Sequence, residues 1–161
     1  MGVRDVLIFP RRVLGYIGAC GIFLALILPP SALAATFTVT NLNDSGIGSL
    51  RQAILDANNA AGNDTIVFQA GLSGILLTTG GFTITDNLTI NGLGKNLSIK
   101  GNNALGFFAI NSGVTANFSD LTIQDGQNGA INNSGTLTLT NSTLSGNSTH
   151  GVEALGTMGV S

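Results

Sequence analysis

The chain has 161 residues, six of them basic and eight acidic, with a formal net charge of −2 and a single cysteine. That length holds one domain at most. Charged residues make up only 9% of the chain, which argues against a basic surface for nucleic acid and leaves few groups for acid–base chemistry.

Arg4, Arg11 and Arg12 make a basic start, and Val13 to Leu28 is an apolar run without charge. Pro29 and Pro30 end any helix there, because proline lacks the backbone donor and clashes with the preceding turn. Ala32-Leu33-Ala34 then sets small residues where a signal peptidase accommodates them. The apolar run is shorter than the roughly 20 residues of a spanning helix. Residues 1–34 therefore read as a secretory signal peptide, cut after Ala34. The one cysteine, Cys20, leaves with it, so the exported chain has neither a disulfide nor a thiolate metal site. Its remaining bases are Arg51, Lys95 and Lys100, set against Asp44, Asp56, Asp64, Asp86, Asp120, Asp125 and Glu153.

Residues 35–64 read as a cap. Thr36 to Thr40 alternates polar and apolar side chains, the pattern of a half-buried strand. Asn41 to Gly48 is a turn-rich loop, with Asp44-Ser45-Gly46 as an ordinary turn. Ser49 is a capable helix N-cap, and Gln52 three residues later completes the pattern of a capping box. Leu50, Ala53, Ile54 and Ala57 make one apolar helical face. Arg51 is a helix-surface or capping cation with an acid nearby to pair with. Such a cap covers the exposed core and unpaired strand edge at the end of a solenoid. Its candidate structural residues are Ser49, Leu50, Arg51, Gln52, Ala53 and Ile54.

Residues 65–148 change character. Short alternating strands, separated by Gly and Asn, are predicted at Thr65–Phe68, Phe82–Thr85, Leu88–Ile90, Leu97–Ile99, Phe107–Ile110, Leu121–Ile123 and Leu137–Thr140. None is long or apolar enough to close a core alone. The endings LTING, LSIKG and LTIQDG recur, and Leu97, Leu121 and Leu144 stand 24 and 23 residues apart, within the range of solenoid repeats. The fold class expected is all-β: a right-handed parallel β-helix with a capping strand and a short amphipathic helix. An antiparallel β-sandwich is the rival, but it does not predict the recurring Leu-x-Ile endings.

Thr36 to Phe68 resembles the segment that opens many bacterial surface β-helix proteins, among them the domain named for a Cys-Ser-Leu-Arg-Glu-Ala motif. The matching residues are Gly48-Ser49-Leu50-Arg51-Gln52-Ala53, with Gly48 at the family's Cys and Gln52 at its Glu. Asn133 to Ser148, NSGTLTLTNSTLSGNS, resembles the repeats of polymorphic outer-membrane and autotransporter-like proteins. These resemblances imply a secreted, cell-surface or outer-membrane protein and supply no catalytic residue.

From residue 149 to 161 the repeat pattern lapses. A frameshift near Gly151 is the expected cause: one codon choice for Val152 to Gly159, read two bases along, encodes a string like Gly129 to Gly135. The chain would then be the N-terminal part of a longer protein, truncated before its end.

Chemistry is sparse. Asp86, Asp120 and Asp125 are the candidates for a carboxylate cluster, with calcium the one cofactor they could hold. Turn aspartates that bond their own backbone explain the same residues. Lys95 and Lys100 read as solvated edge residues, and His150, the sole histidine, has no second ligand for a metal. The function expected is that of a monomeric, adhesin-like or structural protein contacting surface glycans or proteins. It would touch membrane only through its leader or a downstream anchor. The alternative is the N-terminal part of a β-helix polysaccharide lyase or hydrolase.

Overall fold

The computed structural model describes residues 33–94, 97–101 and 106–161. Up to residue 32 the expected leader lies outside these residues, as does Lys95. The elements run β1 Thr36–Val39, α1 Leu50–Asn59, β2 Asp64–Phe68, β3 Gly74–Leu77, β4 Phe82–Ile84, β5 Leu88–Asn91, β6 Leu97–Gly101 and β7 Phe108–Ile110. They continue as β8 Thr115–Ser119, β9 Leu121–Gln124, β10 Ile131–Asn133, β11 Thr136–Thr140, β12 Thr143–Ser145, β13 Val152–Ala154 and β14 Thr157–Val160.

The fold is a parallel β-solenoid with one short helix. Strands fall into three sheets, ordered β1-β2-β5-β8-β11-β14, β3-β6-β9-β12 and β4-β7-β10-β13. Each coil gives one strand to each sheet and stacks on the coil before it. Every strand pair is parallel, which rejects the antiparallel sandwich.

Alternation along each short strand points every second side chain inward, and successive coils stack these into columns. Ile66, Ile90, Phe118 and Leu139 form one column. Ile75, Ile99, Ile123 and Leu144 form a second, and Phe82, Phe108, Ile131 and Val152 a third. Phe108 joins two sheets, its ring 5.1 Å from Phe82 and 4.9 Å from Phe118. The buried core is almost wholly aliphatic and phenylalanine.

The coil is not of constant length. Leu97 pairs with Leu121, 24 residues on, whereas Thr122 pairs with Thr143 after 21. Leu144 therefore stacks on Ile123 and not on Leu121, whose N–H meets Ser142 Oγ instead. The 21-residue pitch then persists. Ile131 pairs with Val152, Thr136 with Thr157 and Leu137 with Met158. Residues 149–161 thus hold two strands where no strand was expected. They lie on their counterparts one coil earlier. Their side chains cover less: Met158 is 46% and Val160 72% exposed.

The cap forms over β1 and β2. Ser49 Oγ accepts the Gln52 N–H at 3.2 Å, and Leu50, Ala53, Ile54 and Ala57 are the buried helical face. Only half of the expected capping box is present. The Ser49 N–H donates to Gly46 O, and Gln52 Nε2 turns to Asp56 Oδ1 at 2.8 Å. Asparagines bind the backbone of neighbouring coils. Asn87 Oδ1 accepts the Thr115 N–H, and Asn147 bridges Gly126 N and Ile123 O.

Candidate functional site

The densest polar constellation joins the cap to the first coil. Arg51 reaches from α1 across the start of β4, donating from Nη1 to Gly81 O at 2.9 Å and from Nη2 to Gly80 O at 2.7 Å. Its Nη2 also meets Asp44 Oδ1 at 2.8 Å, its Nε donates to Asp44 O, and its guanidinium lies 4.8 Å from the Phe82 ring centre. The second carboxylate oxygen of Asp44 accepts from Thr78 N, Thr78 Oγ1 and Thr79 Oγ1. Burial alone would raise the Asp44 pKa. The hydrogen bonds from Thr79, Arg51 and Thr78 outweigh it and hold the carboxyl far below the usual range. The Asp44-Ser45-Gly46 turn is thus a docking element and not an ordinary turn. The protein's own groups hold both ions, so the constellation fastens the cap to the first coil.

Asn58, two turns along the same helix face, binds β4 farther along the same edge. Its Nδ2 donates to Thr83 O at 2.8 Å and its Oδ1 accepts the Thr85 N–H at 2.9 Å. It thereby occupies the edge of the sheet that β4 begins.

The three aspartates considered for calcium do not come together. Asp86 follows β4 and accepts the N–H of Asn87. Asp120 and Asp125 flank β9, both at positive φ, 58° and 64°, so a whole strand of roughly 15 Å separates them. Each occupies a coil corner, with its N–H bound to the next coil at Thr140 O or Ser145 O. Among the described residues no group of three His, Cys, Asp or Glu could hold a metal ion. His150 Nε2 lies 3.3 Å from Glu153 Oε2 at the surface.

The outward side chains of the six-stranded sheet are mostly uncharged and polar. On the six-stranded sheet Thr36, Thr65, Thr89, Asn117 and Thr138 stand in register as one row. Beside them run Thr38, Val67, Asn91, Ser119 and Thr140. Rungs repeat at the strand spacing of about 4.8 Å. A recess of about 250 Å³, lined by Asn63, Asn87, Leu88, Thr115 and Asn117, opens beside this face. Sequence reasoning recognised the threonine-rich strands but named none of these outward residues. The signal was there: all but Val67 are polar alternates of inward apolar residues.

The architecture makes the chain a parallel β-solenoid. No family model matches it, and neither the curated proteins nor the solved structures contain a significant match.

Proposed function

We propose that the chain is an exported, non-catalytic β-helix protein of a bacterial surface, adhesin-like or structural, whose outward faces contact glycans or partner proteins. The observation that carries this is the flat row of hydroxyl and amide groups from Thr36 to Thr138 on the six-stranded sheet. Neutral hydroxyls and amides are donors and acceptors at once, which suits a polyhydroxylated partner. Their fixed spacing lets several weak contacts act together along an extended ligand. The motifs similar to surface β-helix repeats, at Gly48–Ala53 and Asn133–Ser148, support the same location.

The test is to present the purified protein to a panel of bacterial and host polysaccharides, following both retention and polymer length. Retention is expected without shortening of the polymer. Thr89→Lys together with Asn117→Lys should abolish retention while leaving the fold intact, because both side chains point outward. Depolymerisation by the purified chain would overturn the proposal in favour of a lyase or hydrolase. Retention unchanged in the double variant would overturn the assignment of this face.

A further inference from the structure

Asp64 occupies an anomalous place. It stands in the inward column that continues through Leu88, Ala116, Leu137 and Met158. Where each later coil sets an apolar side chain, the first sets a carboxylate, and that carboxylate is completely buried. One oxygen, Oδ1, accepts the backbone N–H of Ala35 at 2.7 Å. The other, Oδ2, is buried with no hydrogen-bond partner among the described residues. A buried carboxylate served by one neutral amide is costly, and a native fold rarely leaves one so.

Ala35 is the residue that a cut after Ala34 would make the N-terminus. It sits one position before β1, beside Asp64 on the neighbouring strand, with its carbonyl accepting the Thr65 N–H at 2.9 Å. Leu33 and Ala34, ahead of it, are exposed and belong to no strand.

We propose that the α-ammonium group released at Ala35 by removal of the leader is the counter-ion of Asp64, and that processing thereby locks the cap onto the first coil. A leader peptidase adds water across the Ala34–Ala35 amide. The carboxylate formed departs with the leader, and the amine formed on Ala35 takes up a proton. An amide with one N–H becomes an ammonium with three, which is charged at neutral pH because an α-amino group titrates near 8. One N–H keeps the bond to Oδ1, and the others lie beside the unpartnered oxygen of the same carboxylate. The precursor, with a peptide bond at this position, has a weaker first coil than the processed chain.

Processing presupposes the export proposed above, and the experiment separates the two. First, the protein recovered from secreting cells is sequenced from its N-terminus. A start at Ala35 is expected. An intact Met1 start in the cytoplasm would overturn export itself, whereas a start at another residue would overturn only the pairing. Second, two chains are released from a cleavable fusion, one beginning at Ala35 and the other at Ala34, and their unfolding is compared at neutral pH. Both carry a free amine, but only the first places it on Asp64. The Ala35 chain is expected to have an unfolding constant lower by about tenfold or more, a difference that disappears in Asp64→Asn. Equal stability, or a difference that survives Asp64→Asn, would overturn the pairing while leaving export standing. Should Asp64→Asn fold poorly, acylation of the α-amino group decides. It is expected to be at least tenfold slower in the Ala35 chain, and equal rates would overturn the proposal.

Discussion

Arg51 Nη2 lies 2.8 Å from Asp44 Oδ1, with the two side chains only 19% and 10% exposed. The pair does not merely join helix to loop. Arg51 also holds the carbonyls of Gly80 and Gly81, and Asp44 holds Thr78 and Thr79, so both ions grip the segment leading into β4. Removing one partner leaves the other partly buried without its counter-charge. Arg51→Ala should therefore destabilise the protein by about 2–4 kcal/mol in urea unfolding. Arg51→Lys should recover only part of this, because a point charge cannot reproduce the planar fork that serves three carbonyls and a carboxylate. Full recovery by lysine would show that charge alone matters at this position.

The same pair gives the fold a pH dependence whose sign follows from Asp44. Its pKa in the folded state lies well below the ordinary 3.8. The stabilisation is therefore complete above that ordinary value and is lost as pH falls through it toward the folded one. Acidification below about pH 4, toward the folded pKa, should progressively remove roughly 2–3 kcal/mol through this group. Asp44→Asn, less stable at neutral pH, should lose less than the parent over the same range. Parallel stability–pH curves for the two would refute the role assigned to Asp44.

Phe107 is buried between two glycines. A Cβ at Gly101 or at Gly126 would come within 2.5 Å of its ring, so the ring fills the space that these residues leave open at the coil corner. Gly126→Ala should cost about 1–3 kcal/mol by overpacking. A second change, Phe107→Leu, should restore part of that loss, since the smaller side chain vacates the contact. Losses that simply add would place the strain elsewhere.

These features differ in how visible they are in the sequence. Leu88–Ile90, Leu97–Ile99 and Leu121–Ile123 were legible because apolar and polar side chains alternate there, and the inward ones stack in the solenoid. Gly74–Leu77 was not, because Leu76 faces outward at 49% exposure and breaks the alternation. Thr115–Ser119 hid because its inward residues include a small Ala116 and its outward Asn117 resembles a turn. Spacing between leucines misled at Leu144, since a coil shortened to 21 residues brings Ile123 beneath it. Arg51 stood out as the cation of a recognisable motif, but its partners lie 29 and 30 residues away at backbone carbonyls, which no local pattern encodes. Asp64 stands at the head of a predicted strand, and only the register with Leu88 shows it facing the core.

Asn133 carries the last prediction. It faces inward in the column of Ile84 and Ile110, fully buried, where an aliphatic side chain would be the ordinary choice. Its Oδ1 accepts the Gly135 N–H at 3.0 Å and its Nδ2 donates to Thr157 O at 2.9 Å, while its own carbonyl accepts from Leu155 and Gly156. One residue thus shapes its own corner and fastens the next coil. Asn133→Ala should cost about 1–3 kcal/mol, because it leaves a buried donor and acceptor without their partner. In a solenoid each coil contacts only its neighbours, so the loss should be local. Amide exchange should accelerate across β13 and β14 while β5 and β6 keep their protection. Uniform acceleration through every coil would instead mean that the solenoid opens as a single unit, with Asn133 contributing to global stability and not to the hold on one coil.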